Sequence, residues 1–356
     1  MNAAFEFATA ARIVFGAGQA SEIAAASRSM GRRSLLVASS RWRPLLPDAA
    51  VMFEVHGEPT VEVARRGAAL ARSERCDVVV SIGGGSAIDA GKAIAALAAN
   101  PGDVLDYLEV IGSARPLGNR PLPFIAVPTT SGTGAEATRN AVLGSAAHGV
   151  KASLRSPMML PALAIVDPDL TRTLPAEIAA YTAMDALTQL VEAFVSVRAN
   201  PMSDMLARQG LALLAGGLRT LDREAMAQAS LLSGMALGNA GLGAVHAFAA
   251  AIGGMFPSAP HGAICAALLA PVMRANVEAL RARDPLGPAL VHFAETFPVE
   301  WVTETVRRLE ILPLIHYGVD LARADEIVAK AQRTSSMKGN PIPLTDDELK
   351  AALTGC

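Results

Sequence analysis

Apolar positions follow two rhythms along this chain. In the first half, short continuous apolar runs alternate with segments of helical spacing. Ser34-Leu35-Leu36-Val37-Ala38, Val78 to Ile82, Phe124 to Val127 and Leu163 to Val166 are apolar throughout, which predicts short buried strands. Val61 to Ser73 and Ile88 to Leu97 repeat apolar residues every three or four positions, which predicts helices. Strands alternating with helices imply a parallel sheet covered on both faces. After Pro168 the pattern is helical to the end, punctuated at Asn200-Pro201, Gly216-Gly217, Pro257, Pro260, Pro271, Pro285 and Pro298. The expected architecture is an α/β amino-terminal Rossmann-like domain (1–168) and an all-α carboxyl-terminal domain (169–356), without internal repeats.

Length and composition agree with that division. A chain of 356 residues has room for two domains, and 51% hydrophobic against 18% charged residues is the balance of a packed globular protein. A net charge of −2 provides no footprint for nucleic acid or an anionic membrane, so neither is expected as a partner. Apolar runs such as Ala263 to Met273 fall short of the roughly 20 residues a bilayer span needs. The start, MNAAFEFATAAR, carries Glu6 and no basic stretch, so it does not read as a signal peptide. Cys76, Cys265 and Cys356 are odd in number, scattered and unpatterned, which argues against disulfides and for a reducing cytoplasm.

Two loops carry candidate chemistry. Cys76-Asp77-Val78-Val79-Val80 runs into SIGGGSAIDAGK (Ser81 to Lys92), a strand, a glycine turn and a helix start. Without Cβ atoms, Gly83, Gly84 and Gly85 let the backbone approach a ligand, and the amides and dipole of the helix start favour phosphate or pyrophosphate. The next strand ends in Thr129-Thr130-Ser131-Gly132-Thr133-Gly134-Ala135-Glu136, a hydroxyl-rich loop suited to ribose, phosphate or amide groups. Gly16-Ala17-Gly18 and Gly238-x-x-Gly241-x-Gly243 lack the context of a dinucleotide fingerprint and read as turn or close-packing glycines.

These loops, with RIVFGAG (Arg12 to Gly18), PTTSGTGAEAT, LAIVDPDL (Leu163 to Leu170), MDALTQLVEAFVS (Met184 to Ser196) and HAFAAAIGG…PHGAICAALLAPVM (His246 to Met273), resemble the iron-containing (group III) alcohol dehydrogenase family, of the dehydroquinate synthase-like superfold. The motifs stand in family order over nearly the whole chain. The resemblance implies an NAD(P)-dependent oxidoreductase that interconverts an alcohol and an aldehyde or ketone by hydride transfer. The carbonyl is polarised by a divalent metal, zinc or iron, and the protein is expected as a homodimer or larger homo-oligomer.

By that resemblance, Gly84, Gly85 and Ser86 hold the pyrophosphate, while Asp89, Thr129, Thr130, Thr133 and Lys151 line the nicotinamide-ribose side. Relatives commonly place an Asp after the second strand; here Ser39 and Ser40 stand there, followed by Arg41 and Arg43. Losing that carboxylate removes repulsion against a 2′-phosphate, so NADP(H) is slightly favoured over NAD(H). Relatives also tend to have Asn before Pro in the next loop, where this chain has Glu58-Pro59.

The family binds metal with an Asp, a His four residues later and two further histidines. Asp185, His246 and His261 match, whereas Gln189 replaces the second ligand and is at best a weak fourth, because an amide oxygen is a poor ligand for a transition metal. Three protein ligands still suit zinc, and His246 is the residue assigned to catalysis. Ala250 stands where many relatives carry a His near the reacting carbon, leaving the proton donor open. Phe248, Met255 and Phe256 suggest a partly apolar pocket. Three other readings remain: a metal-independent reductase resembling maleylacetate reductase, a dehydroquinate-synthase-like lyase, for which only Lys151 and Arg155 offer basic charge, and a catalytically silent nucleotide-binding protein.

Overall fold

A computed structural model of the chain describes residues 4–220 and 222–355, so Cys356 and the first three residues lie outside the described part. The chain divides into two compact units, each described by itself.

The first unit comprises Thr9–Thr130 and Gly134–Leu174. Its elements are β1 (Ile13–Phe15), α1 (Ile23–Met30), β2 (Ser34–Ala38), β3 (Val51–Phe53), α2 (Val61–Ser73), β4 (Val78–Gly83), α3 (Gly85–Ala99), α4 (Val104–Tyr107), β5 (Phe124–Pro128), β6 (Asn140–Ser145), β7 (Val150–Arg155) and β8 (Leu163–Val166). Six strands form a parallel sheet in the order β1-β8-β5-β4-β2-β3. Every residue of β2, β4, β5 and β8 is buried, as expected of strands covered on both faces. From β2 the chain moves outward to β3, crosses back to β4, then continues the other way through β5 and β8. The switch point therefore lies between β2 and β4, and nucleotides bind such sheets beyond the carboxyl ends of the strands at that place.

Local sequence explains the elements around the switch point. Thr60 caps α2 by accepting the Val63 amide at 3.1 Å. Helix α3 presses directly on β4: a Cβ on Gly91 would come within 1.9 Å of Ser81 Oγ, so only glycine permits this approach. The helix begins at Gly85 rather than Ile88, a start the apolar pattern does not mark because Gly85, Ser86 and Ala87 are small. The all-parallel expectation misses one feature. β6 and β7 form a separate antiparallel hairpin, with Asn140 opposite Arg155 and Ser145 opposite Val150.

The second unit runs from Pro175 onward and includes the segment ending at Ala8 and the strip Ser131–Thr133. Its main helices are α5 (Ala176–Val195), α6 (Pro201–Thr220), α7 (Arg223–Ala240), α8 (Ala244–Met255), α9 (His261–Arg283), α10 (Pro288–Glu295), α11 (Val299–Arg308), α12 (Ala324–Gln332) and α13 (Asp346–Thr354). No strand occurs in it among the described residues. Helix α5 is the axis of the unit, buried almost continuously from Ala179 to Val195. Its alanines and glycines on its neighbours allow close packing, as where a Cβ on Gly210 would strike Leu190 at 2.6 Å. Helix α9 is long and apolar enough to cross a membrane, yet its apolar window is 72% buried, as in a core helix. Gly241 ends α7 with φ of 76°, where Arg198 already fills the space of a side chain, in keeping with a packing role.

Candidate active site

In the helical unit, α5, α8 and α9 bring four metal-ligating side chains together. Asp185, His246, His261 and Cys265 each offer one donor atom, and these atoms all lie within 4.8 Å of one another. Asp185 Oδ1 is 3.2 Å from His246 Nε2 and 3.7 Å from His261 Nε2. Cys265 Sγ is 3.8 Å from Asp185 Oδ1, 4.0 Å from His246 Nε2 and 3.8 Å from His261 Nε2. Asp185, His246 and Cys265 are buried, while 38% of the His261 side chain remains open.

Sequence spacing explains the convergence. Asp185, Gln189 and Glu192 share one stripe of α5 at intervals of four and three residues. His261 opens α9 and Cys265 follows one turn later on the same face. His246 lies in the first turn of α8, held there by Glu192, whose Oε1 accepts the Val245 amide at 2.6 Å and whose Oε2 meets His246 Nδ1 at 2.6 Å. Gln189 is beside Asp185, but its Oε1 accepts a hydrogen bond from Ser233 Oγ at 2.7 Å. A hydrogen bond from Gln189 also helps hold the Asp185 carboxyl down, and since a carboxylate only accepts, the amide NH2 is its donor.

The electrostatics of the cluster favour a cation. Burial alone would raise Asp185, yet the two histidines and the Gln189 hydrogen bond hold its carboxyl below the usual range. Burial would lower His246, but Cys265, Asp185 and Glu192 together raise it well above an ordinary histidine. Burial would raise the Cys265 thiol, and His261 and His246 pull it below normal. Acids surrounding imidazoles in a dry site are the donor set of a divalent metal, so the residues present fit that group.

In the α/β unit, seven of the residues expected at a cofactor follow the carboxyl ends of three neighbouring strands. Ser39 and Ser40 follow β2, Gly84, Gly85 and Ser86 follow β4, and Thr129 and Thr130 follow β5. The Thr129 amide donates to Gly83 O at 2.9 Å, fastening two of these loops together. Gly84 has φ of −72°, open to any residue; its missing side chain matters for space, since a Cβ would come within 3.2 Å of Thr130. Asp89 is on the inner side of α3, accepting the Val142 amide at 3.0 Å and facing Lys92 Nζ at 3.2 Å. Lys151, on β7, pairs with Glu58 at 2.8 Å. Thr133 belongs to the strip that folds with the helical unit. Of the two arginines after β2, Arg43 donates to Pro47 O and Ala49 O, whereas Arg41 is exposed and stacks on Trp42 at 4.7 Å. Phe248 is fully buried in the helical core, so it does not line an open pocket.

Sequence reasoning missed Cys265, Glu192 and Ser233. The signals were present as spacing: Cys265 four residues after His261, and Glu192 seven after Asp185 in an otherwise apolar helix.

Comparison with known proteins agrees with both halves. Residues 10–168 match the family described as iron-containing alcohol dehydrogenase, and residues 179–355 match the carboxyl-terminal domain of the same family. Alcohol dehydrogenase 4 of Schizosaccharomyces pombe is 35% identical over 367 residues, covering 95% of this chain and 86% of that protein. The crystal structure of a 1,3-propanediol oxidoreductase superposes with a TM-score of 0.88 at 32% identity, over 99% of both chains. That of a sulfoacetaldehyde reductase from Bifidobacterium kashiwanohense in complex with NAD+ superposes with a TM-score of 0.83 at 27% identity, over 99% and 98%. The chain belongs to the iron-containing alcohol dehydrogenase family and is an oxidoreductase of the alcohol dehydrogenase type.

Proposed function

We propose that this enzyme uses NAD(P)H and a divalent metal held at Asp185, His246 and His261 to reduce a small aldehyde or ketone to its alcohol, and runs the reverse reaction with the oxidised cofactor. The convergence of these three side chains from three helices is the observation that carries the reading. The reaction adds a hydride to the carbonyl carbon and a proton to its oxygen. A divalent ion in this cluster supplies Lewis acidity, which polarises a carbonyl toward hydride attack.

The residues prepare that chemistry. Glu192 keeps the His246 proton on Nδ1, leaving Nε2 as the donor toward the cluster. Asp185 contributes negative charge from a buried position, and partly open His261 marks the accessible side. Beyond the carboxyl ends of the strands, the start of α3 offers amides to a pyrophosphate, and the hydroxyls of Thr129 and Thr130 suit ribose or amide groups. Ser39, Ser40 and exposed Arg41 support NADP(H) binding at least as well as NAD(H). The two basic residues a phosphate-eliminating lyase would draw on face acids instead, Lys151 on Glu58 and Arg155 on Glu109. Cys76 and Cys265 are free, which fits a cytoplasmic setting.

The test is cofactor oxidation against a panel of aldehydes and ketones, before and after chelation and after adding zinc or ferrous iron. Activity that chelation removes and metal restores supports the proposal. Full activity in metal-free protein overturns the metal role and places the metal-independent reductase first.

A further inference from the structure

We infer that Cys265 is itself a metal ligand, its thiolate taking the fourth protein position left without an imidazole by Gln189, so that the centre is built for zinc rather than iron. The inference rests on the metal reading above and adds to it the ligand that sets metal choice.

Three observations carry it. The first is shape. Tetrahedral zinc with bonds of about 2.0–2.3 Å separates its donor atoms by roughly 3.3–3.6 Å. Five of the six donor–donor distances among Asp185, His246, His261 and Cys265 run from 3.2 to 4.0 Å, and the sixth, between the two histidines, is within 4.8 Å, so the set is close to such a tetrahedron. The second is the position of Gln189. Its oxygen, the only atom able to bind a metal, is engaged by Ser233 at 2.7 Å, and an amide nitrogen has no lone pair to give. The third is the helix. Cys265 stands one turn beyond His261 on α9, the spacing that makes a two-residue chelate, and is completely buried with its sulfur directed at the other three donors. The lost i, i+4 pair on α5 is thus matched by an i, i+4 pair on α9.

The chemistry follows from the donor set. On metal uptake the thiol gives its proton to solvent, and thiolate plus Asp185 carboxylate balance the charge of a divalent ion. A site with one thiolate sulfur is softer than one of imidazole and carboxylate alone and favours zinc more strongly.

The test uses the full chain loaded with cobalt(II). A thiolate-to-cobalt charge-transfer band in the near ultraviolet, lost in Cys265→Ala, supports the inference. In parallel, X-ray absorption of the zinc-loaded unmodified protein should show one sulfur at about 2.3 Å among nitrogen and oxygen donors. That measurement decides the question even if the variant does not fold. Bound metal without sulfur in its shell, or a band that survives Cys265→Ala, overturns the Cys265 assignment and leaves the metal-dependent reading intact. Failure of the unmodified protein to bind cobalt or zinc stoichiometrically overturns both.

Discussion

Glu192 Oε2 lies 2.6 Å from His246 Nδ1, while the other oxygen of the same carboxylate holds the Val245 amide at the start of α8. One acid therefore fixes both the helix that carries the histidine and the nitrogen that bears its proton. Glu192→Gln removes only the second function. The amide oxygen can still accept from Val245, but its NH2 group then faces Nδ1. The proton is driven to Nε2, the atom that should bind metal. Metal affinity should fall about 10–100-fold with the fold unchanged, as for other carboxylate–histidine supports. Competition with a chelator of known affinity measures it, and unchanged affinity would show that the carboxylate does not set the tautomer.

Cofactor choice should depend on the turn after β2. Ser40 is exposed, Arg43 is engaged with backbone carbonyls, and Arg41 is left facing solvent on the Trp42 ring. Ser40→Asp should weaken NADPH binding about tenfold or more and leave NADH nearly unaffected, because the new carboxylate repels a 2′-phosphate and accepts from a 2′-hydroxyl. Fluorescence titration of both cofactors is the measurement. A clear preference of the unmodified protein for NADH would reject the assignment.

Gly84→Val should abolish binding of either cofactor while the fold survives. The backbone there is ordinary for any residue, and within the protein a Cβ meets only Thr130 at 3.2 Å. The main effect is to fill the space where a pyrophosphate approaches the amides of α3. Unchanged affinity in calorimetry, with an unchanged circular dichroism spectrum, would move the pyrophosphate elsewhere.

Much of the first unit was legible because its signals are local. β2 and α2 begin and end at the residues their apolar patterns indicate, and Thr60 marks the helix start. The β6–β7 hairpin was not legible: burial alternates along both strands, but the consecutive apolar residues Ala141, Val142 and Leu143 do not show that alternation, and the pairing is made in three dimensions. Nor does sequence show that Ser131–Thr133 folds with the helical unit, where a Cβ on Gly132 would meet Thr182 at 2.6 Å. At the site, resemblance to the family indicates Asp185, His246 and His261, whereas Cys265 joins them only through the packing of α5, α8 and α9.

A buried charge cluster in the α/β unit makes a separate prediction about stability. Lys92 is fully buried, 3.2 Å from Asp89, and donates to Ala135 O, Asn140 O and Thr138 Oγ1. Glu136 is buried nearby and burial pushes its carboxyl up to about 7, against an ordinary 4.5. The folded state thus holds a proton that the unfolded chain releases. Its contribution is fully present below the ordinary value and is lost as pH rises through about 7. Glu136→Gln, which needs no proton, should flatten this part of the profile. Between about pH 5.5 and 8.5 the unmodified protein should lose on the order of 2 kcal/mol relative to the variant. Urea unfolding at both pH values gives the comparison, and parallel profiles would show that Glu136 is ionised throughout.

The last prediction moves the fourth ligand back to α5. Cys265→Ala should lower zinc affinity more than tenfold, leaving Asp185, His246 and His261 as a three-residue site. Adding Gln189→His to that variant places an imidazole four residues after Asp185, on the same helical stripe. Ser233 loses the Gln189 oxygen but keeps Ser230 O as an acceptor at 2.8 Å, so the exchange leaves no buried hydroxyl unpaired. Metal affinity should recover in the double variant, and with sulfur gone the preference should turn from zinc toward ferrous iron. His261→Ala removes a donor that neither change replaces and should abolish binding in either background. Metal content under anaerobic competition between zinc and ferrous iron reads all of these at once. If Gln189→His raises affinity equally with and without Cys265, the sulfur and the imidazole do not share one coordination position, and the α5-for-α9 exchange is wrong.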